Sequence, residues 1–232
     1  MATRDSDVIA EMSALGRPAP SSILLENPVV AVLRARHADE YAPVIYALAE
    51  GGVRSIELTL STAGVFDLLP ALIRDFGDDV EIGVDTITTT AEAEQALDSG
   101  ARFLVTPVTD SDIVRAAVAR GVPVFPGGLT PTELLSGWRA GATAVKVFPA
   151  STVGPGYISQ LRGPFPEIQV IPSGGVGIDD AAAWISAGAM AVSLGGPLLG
   201  DAFRGGDLGQ LKARAAEVSR LVAAALHTKA AL

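Results

Sequence analysis

The sequence contains no cysteine and only two histidines, His37 and His227, in 232 residues. The lack of cysteine excludes disulfide bonds, thiolate zinc sites and cysteine nucleophiles, and two histidines are too few for a histidine-based metal cluster. Charged residues make up 19% of the chain and the net charge is −9, which argues against a protein built to bind nucleic acid or an anionic membrane. No apolar run reaches the roughly 18 residues of a membrane span, and no signal-peptide core is visible. We therefore expect a cytoplasmic protein that acts on small molecules.

Short β-rich strands alternate with helical stretches along the chain. A glycine commonly separates the two, because glycine accepts the left-handed turn that ends a helix and lets a strand begin. The segments predicted to hold strands are 29–34, 53–60, 80–85, 101–107, 122–128, 142–150, 168–175 and 189–196. This alternation predicts right-handed βαβ units and a parallel sheet.

Eight such units fit a closed (β/α)8 barrel, or TIM barrel, within a single domain. We expect an N-terminal helical extension over 1–27 that covers the barrel base, the barrel over 28–200 and a C-terminal helix over 207–232. The alternative is an open doubly wound sheet, but no G-x-G-x-x-G motif follows the first strand. Because barrels carry their chemistry at the C-terminal ends of the strands, polar residues at those ends are the candidates for function.

Lys146 interrupts the apolar strand A-V-K-V-F-P. An ammonium group in a covered strand loses hydration, which favours the neutral amine and predicts a lowered pKa for Lys146. A partly neutral lysine can attack a carbonyl carbon and form a Schiff base. The alternative is a lysine that leaves the strand end and pairs with a carboxylate, but the rarity of buried lysines favours the catalytic interpretation.

Glu57 lies between Ile56 and Leu58 in the second predicted strand. A carboxylate among apolar neighbours has a raised pKa and can exchange protons near neutrality. The alternative is an ion pair with Lys146 or Arg34 that only holds the barrel together. Both interpretations can be correct, because a base within reach of a Schiff-base lysine forms one catalytic unit with it.

Two glycine pairs, in S-G-G at 173–175 and L-G-G at 194–196, end the last two predicted strands. Barrels often bind phosphate through backbone N–H groups at these two positions, and glycine lets the main chain approach the phosphate oxygens closely. The alternative is that these glycines only make tight turns. Arg34, at the end of the first strand, is a candidate clamp for a carboxylate or phosphate, unless it only reaches into solvent.

Several motifs together resemble those of a known family. They are AVLR at 31–34, GGVRSIELTL at 51–60, IGVDTI at 82–87, FLVTP at 103–107, PGGLTPTE at 126–133, VKVFPA at 145–150, IPSGGV at 171–176 and SLGG at 193–196. In this order, over about residues 28–200, they resemble the pyruvate-dependent class I aldolases of the 2-dehydro-3-deoxy-phosphogluconate (KDPG) and 4-hydroxy-2-oxoglutarate (KHG) family. The resemblance implies a (β/α)8 barrel, a homotrimer, and no need for a metal or an organic cofactor.

The resemblance also implies a reaction and a set of residues that perform it. The expected reaction cleaves a 2-keto-3-deoxy sugar acid, phosphorylated at carbon 6, or 4-hydroxy-2-oxoglutarate, to pyruvate and an aldehyde. Lys146 is similar to the family's Schiff-base lysine, Glu57 to its general acid/base and Thr86 to the threonine that contacts the pyruvate carboxylate. The other residues expected to bind substrate are Arg34, the pocket walls Pro107 and Phe148, Ser173, and the phosphate-binding glycines Gly174, Gly175, Gly195 and Gly196.

Three positions depart from the family's pattern. Ser61 stands where many gluconate-type members have an arginine, which leaves Arg34 as the expected carboxylate anchor and, with V-T-P at 105–107, favours the branch that acts on the galactonate-derived epimer. Asp85 stands where the motif has glycine, and a carboxylate there is expected either to raise the pKa of Lys146 or to repel an anionic substrate. Pro197 replaces a serine and removes a backbone donor from the phosphate site.

Two other functions stay open at this point. Glu57 and Asp85 could hold a divalent metal in a metal-dependent pyruvate aldolase or phosphosugar epimerase. The third possibility is a barrel without activity that binds a sugar phosphate or a partner chain.

Overall fold

The computed structural model describes residues 9–10, 12 and 14–230, and its strands form a curled parallel sheet. The strands are β1 (Val29–Leu33), β2 (Ser55–Thr59), β3 (Glu81–Asp85), β4 (Leu104–Val105), β5 (Val124–Phe125), β6 (Gly127–Gly128), β7 (Val145–Val147), β8 (Val170–Pro172) and β9 (Val192–Leu194). Each strand lies in one of the predicted segments, and the segment 122–128 holds both β5 and β6. Six strands pair in the order β5-β4-β3-β2-β1-β9, and the other three pair in the order β6-β7-β8.

Hydrogen bonds at two junctions join these sheets into a barrel. Pro126 separates β5 from β6, and its carbonyl accepts a hydrogen bond of 2.8 Å from the backbone N–H of Lys146. At the other junction, the N–H of Met190 donates to the carbonyl of Val170 over 2.8 Å, and Ser173 forms a parallel bridge with Ser193. The predicted (β/α)8 barrel is therefore confirmed, and the open doubly wound sheet is wrong.

Helices follow the strands and pack around the barrel. They are α1 (Ser22–Glu26), α2 (Tyr41–Glu50), α3 (Val65–Phe76), α4 (Thr90–Asp98), α5 (Ser111–Ala119), α6 (Pro131–Arg139), α7 (Tyr157–Arg162), α8 (Ala181–Ser186), α9 (Gly196–Leu199) and α10 (Leu208–Ala230). The predicted capping box before α6 is present, because Thr130 Oγ1 accepts from the N–H of Glu133 over 3.4 Å and the Glu133 carboxylate accepts from the N–H of Thr130 over 2.8 Å. The start of α6 is thus set by local sequence.

The N-terminal end of the barrel is filled with apolar side chains. Leu24 of α1 is buried in a cluster with Val30, Phe103, Phe125 and Ile171, which lie inside the barrel. Helix α1 therefore covers the barrel base, as predicted for the N-terminal extension, although residues 1–8, 11 and 13 of that extension lie outside the described residues. The division at residues 27, 200 and 207 stays a prediction.

Helix α10 packs along the outside of the barrel against α2 and α8. None of the helices within residues 9–10, 12 and 14–230 combines the length and the apolar character needed to cross a membrane.

Candidate active site

Three charged side chains meet inside the barrel near the C-terminal ends of its strands. The ammonium nitrogen of Lys146, on β7, lies 3.0 Å from Oδ1 of Asp85 and 3.7 Å from Oε1 of Glu57. Parallel pairing brings the carboxylates together, because Glu57 on β2 stands opposite Gly83 and Thr59 stands opposite Asp85, the last residue of β3. None of the three side chains exposes more than 6% of its surface.

The charge of Lys146 is set by these two neighbours. Burial acts to lower the pKa of Lys146, but attraction and hydrogen bonds from Glu57 and Asp85 outweigh it and raise the pKa above its ordinary value. The lowered pKa predicted from the strand pattern is therefore wrong for the resting protein, because the pattern did not show that two carboxylates reach the amine. The alternative prediction, that Asp85 raises the pKa of Lys146, is confirmed. Lys146 rests as an ammonium and must lose a proton before it can act as a nucleophile.

Glu57 is the group in this cluster that titrates near neutrality. Burial raises the pKa of Glu57 to about 7 and Asp85 adds to the rise, while Lys146 opposes it. Ser193 Oγ donates to Glu57 Oε1 over 3.4 Å, and Ser173 Oγ donates in turn to Ser193 over 3.3 Å. Glu57 thus shows both predicted properties, a raised pKa and an ion pair with Lys146, and it can give or take a proton at neutral pH.

A cavity of about 620 Å³ opens above Lys146. All the residues predicted to bind substrate line this cavity, namely Arg34, Thr86, Pro107, Phe148, Ser173, Gly174, Gly175, Gly195 and Gly196. Glu57 is the predicted site residue that does not line it, and it reaches the cavity through its contact with Lys146. The structure therefore brings the predicted residues together at the barrel mouth.

Positive charge surrounds the cavity entrance. Arg36 and Arg204 line it together with Arg34, and within the described part of the chain none of the three takes part in an ion pair. Arg36 and Arg204 were not predicted from the sequence. Arg36 follows two residues after Arg34, which is a usable signal, whereas Arg204 comes from a distant part of the chain and only the fold brings it to the cavity. Such a cluster suits an anionic ligand in spite of the chain's negative net charge.

The two glycine pairs differ in what they require. Gly174 and Gly175 have φ values of 84° and 79°, and a Cβ atom at Gly175 would lie 2.6 Å from Cβ of Ser151. A Cβ atom at Gly196 would meet no atom within 4 Å. The loop after β8 therefore needs glycine for its shape, while the loop after β9 offers an open backbone next to Pro197.

Two residues that frame Lys146 have unusual geometry. Thr86 has a φ of 68°, and its Oγ1 donates to Oδ2 of Asp85 over 3.2 Å. Phe148 precedes a cis peptide bond to Pro149, and the centre of its ring lies 5.5 Å from Nζ of Lys146.

Ser61, in contrast, is exposed, does not line the cavity and contacts Thr59 over 3.0 Å. Ser61 therefore supplies neither a contact nor a charge to this cavity.

The proposed metal ligands face an amine. Glu57 and Asp85 both point at the ammonium of Lys146, which already supplies the positive charge between them. The part of the chain that the structure describes holds no group of three or more histidine, cysteine, aspartate or glutamate side chains that could bind a metal ion. The histidines lie elsewhere, with His37 Nδ1 3.2 Å from Asp39 and His227 Nδ1 2.7 Å from the carbonyl of Ala223.

Comparison with known proteins connects this geometry to one family. The family model "KDPG and KHG aldolase" matches residues 21–213. The chain is 34% identical over 172 residues to 2-dehydro-3-deoxy-6-phosphogalactonate (KDPGal) aldolase of Escherichia coli, covering 74% of this chain and 84% of the relative. It is 30% identical over 159 residues to KDPG aldolase of Treponema pallidum, covering 68% and 75%.

The structural comparison agrees with the sequence comparison. A solved structure described as native KDPGal superposes with a TM-score of 0.80 at 31% identity, covering 86% of this chain and 96% of that one. The barrel, the buried lysine with its carboxylates and the matched motifs all lie within the aligned family model. The chain therefore belongs to the KDPG and KHG aldolase family and is an aldolase, a lyase that breaks a carbon–carbon bond.

Proposed function

We propose that Lys146 forms a Schiff base with the ketone of a 2-keto-3-deoxy sugar acid and that Glu57 moves protons at the substrate. The observation that carries this proposal is the ammonium of Lys146, held 3.0 Å and 3.7 Å from two buried carboxylates at the floor of the cavity. An amine held in this way has a proton acceptor within reach at all times. The floor of the cavity is therefore the place where the ketone carbon binds.

The reaction follows from the groups present. Lys146 gives a proton to a neighbouring carboxylate, its nitrogen attacks C2 of the substrate, and loss of water leaves a protonated imine. Glu57 takes the proton of the C4 hydroxyl, the C3–C4 bond breaks, and its electron pair flows into the imine to give an enamine and a free aldehyde. Protonation of the enamine at C3 and hydrolysis release pyruvate and restore the lysine.

The residues that line the cavity are suited to bind a substrate with negative charge at both ends. Arg34 and Thr86 are suited to bind the carboxylate next to the reacting ketone, and Pro107 and Phe148 form the walls. The backbone at Gly174, Gly175, Gly195 and Gly196 is suited to bind the phosphate at the other end. KDPG and KHG are the proposed substrates, with the galactonate epimer as the alternative. The exposed Ser61 and the relative from Escherichia coli favour that alternative, and the relative from Treponema pallidum favours KDPG.

We also propose that the protein forms a homotrimer in the cytoplasm. The family resemblance supports the trimer, and one matching structure, with a TM-score of 0.81 at 31% identity, is a protein cage designed by fusing symmetric oligomeric domains. The cytoplasmic location stays a prediction from the sequence.

A panel assay of pyruvate release tests the function. Purified protein is given KDPG, its galactonate epimer, the unphosphorylated forms of both and KHG, and pyruvate is measured with lactate dehydrogenase. We expect at least one phosphorylated substrate to be cleaved, and we expect Lys146→Ala to lose at least about 10⁴-fold in kcat. The matched control is Lys212→Ala, because Lys212 is exposed and pairs with Glu50 on the outer surface.

Two outcomes would overturn the proposal. Tight binding of these keto acids with no pyruvate release would indicate the barrel without activity. Cleavage that survives Lys146→Ala and stops on chelation would indicate the metal-dependent reaction.

A further inference from the structure

Asp85 is the carboxylate that makes the shorter contact with Lys146. Its Oδ1 accepts the hydrogen bond of 3.0 Å from Nζ, whereas the nearest oxygen of Glu57 lies 3.7 Å away. Asp85 also lines the cavity, while Glu57 lies below it and accepts from Ser193 on its far side. The two carboxylates therefore have different positions relative to an entering ketone, which must approach Nζ from the cavity side.

The local backbone holds Asp85 in this position at a cost. Thr86 has a left-handed φ of 68°, which is rare for a β-branched residue because its side chain crowds the backbone there. With this conformation, Thr86 Oγ1 donates to Oδ2 of Asp85, so both oxygens of the carboxylate have a partner. Strained conformations of this kind persist where the surrounding structure enforces them, and they are common at active sites.

We propose that Asp85 is a further catalytic residue, which serves as the counter-ion of Lys146 and accepts its proton when the amine attacks the ketone. This inference rests on the proposed Schiff-base function. It also divides the work between the two carboxylates, because Asp85 takes the ammonium proton and Glu57 can supply the proton for the next step.

The proton balance of imine formation closes with these groups alone. The ammonium of Lys146 gives one proton to the Asp85 carboxylate, and Nζ bonds to C2 while the carbonyl electron pair moves to oxygen. That oxygen takes one proton from nitrogen and a second from the Glu57 carboxylic acid, and it leaves as water when the C=N bond forms. The products are a protonated imine, a neutral Asp85 and an ionised Glu57. Glu57 is thereby ready to take the C4 hydroxyl proton, as cleavage requires.

The rest of the site is consistent with a counter-ion role for Asp85. The charged groups that face it are Lys146 from β7 and Glu57 from β2, and Arg34, Arg36 and Arg204 line the same cavity. Burial and the charge of Asp85 together raise the pKa of Glu57 to about 7, against the opposing charge of Lys146. Glu57 and Asp85 are the two carboxylates that contact the ammonium of Lys146. Without Asp85, Glu57 would be left as its counter-ion, and the charged form of Glu57 would be favoured more than it is beside a second carboxylate.

The test measures imine formation apart from cleavage. Wild-type protein, Asp85→Asn and Asp85→Gly are each mixed with pyruvate at several pH values between 5 and 9. Samples are quenched with borohydride at successive times, and mass spectrometry measures the fraction of Lys146 that carries reduced pyruvate. We expect both variants to form the adduct about 10²-fold more slowly at neutral pH. We expect added formate to restore the rate in Asp85→Gly, because a small carboxylate fits the vacated space, and not in Asp85→Asn.

The matched control is Glu81→Gln, which removes another buried carboxylate from the same strand at the opposite end of the barrel. It is expected to leave the rate and its pH dependence unchanged. If Asp85→Asn and Asp85→Gly form the adduct at the wild-type rate, or lose it without rescue by formate while keeping a native melting transition, Asp85 is only structural. If the wild-type protein itself forms no adduct, the proposed Schiff-base function fails first, which separates the two results.

Discussion

The two ends of the barrel each contain a buried carboxylate, but the groups around these two carboxylates differ. At the N-terminal end, Glu81 begins β3 and pairs with the hydroxyl of Ser55, under a base that α1 closes with Leu24. At the C-terminal end, Asp85 ends the same strand and faces the ammonium of Lys146 at the floor of an open cavity. One five-residue strand thus carries a buried carboxylate at each end, but only that of Asp85 contacts a lysine ammonium, in the cavity lined by the residues predicted to bind substrate.

This difference shows that burial alone does not mark a catalytic residue. Burial raises the pKa of Glu81 as it raises that of Glu57. The groups around Glu81 include the hydroxyls of Ser55 and Ser21 and the guanidinium of Arg102, and none of these can attack a ketone to form a Schiff base. A perturbed carboxylate becomes useful when a nucleophile, a second titrating group and an opening lie within reach. Substitutions at the two ends of the barrel are therefore expected to affect different properties of the protein.

Glu57→Gln changes the catalytic cluster at the C-terminal end of the barrel and is expected to have the largest effect. We expect kcat for KDPG or its epimer to fall about 10³-fold, because the amide cannot take the C4 proton or give a proton to the leaving water. The limb of the pH–rate profile that reflects a group with a pKa of about 7 is expected to disappear. Steady-state assays between pH 5 and pH 9 measure both effects. A variant that keeps the wild-type rate and profile would show that another group moves the protons.

Leu24→Ala changes the apolar packing at the N-terminal end of the barrel. Leu24 is 3% exposed in the apolar cluster at the base, so the shorter side chain leaves a cavity and is expected to lower the free energy of unfolding by about 3 kcal/mol. The site lies at the other end, so KM and the rate of pyruvate trapping are expected to stay unchanged. Urea unfolding and the trapping assay check the two halves of this prediction. A change in trapping with intact folding would mean that the two ends are coupled.

Gly175→Ala tests the proposed phosphate loop. The φ of 79° and the 2.6 Å approach to Ser151 force the loop to move, and we expect KM for a phosphorylated substrate to rise about tenfold while pyruvate trapping is unchanged. The control is Gly121→Ala, which has a φ of 68° and no atom within 4 Å of the added Cβ. It carries similar backbone strain outside the site. Equal effects of the two variants on KM would argue against phosphate binding by this loop.

Glu81→Gln is expected to have the smallest effect, and only on stability. Burial raises the pKa of Glu81 above its usual value, so between the unfolded and folded pKa values the folded protein binds more protons than the unfolded chain. The contribution of Glu81 to stability therefore falls as pH rises through that window, by ~1.4 kcal/mol for each unit of the shift. The free energy of unfolding is measured with urea for the wild type and the variant at pH 5 and at pH 8. The wild-type value minus the variant value is expected to be smaller at pH 8 than at pH 5. A difference that does not change with pH would show that Glu81 is not held protonated.

Much of the architecture could be predicted because it depends on short local segments of the sequence. The strand–helix alternation, the capping box at Thr130 and Glu133 and the glycines that follow many of the helices depend on neighbours a few residues apart. The same holds for the identity of Lys146 and Glu57 as candidates, since each interrupts an apolar strand.

The electrostatics of the site could not be predicted in this way. Asp85 and Lys146 are separated by 61 positions in the chain, and their 3.0 Å contact depends on the curvature of the whole barrel. For this reason the direction of the pKa shift of Lys146 was predicted wrongly from its strand alone. Arg204 was missed for a similar reason, because the fold and not the local pattern brings it to the cavity.

Borohydride trapping of pyruvate, followed by peptide mapping, is the most direct test that Lys146 captures a ketone. The chain has three lysines, Lys146, Lys212 and Lys229, so every lysine that could carry the adduct is resolved in one map, together with the N-terminal amine. We predict one reduced pyruvate per chain, on Lys146, and none on the other two lysines. An adduct spread over Lys212 and Lys229, or no adduct in a protein that still releases pyruvate from a keto acid, would contradict the account.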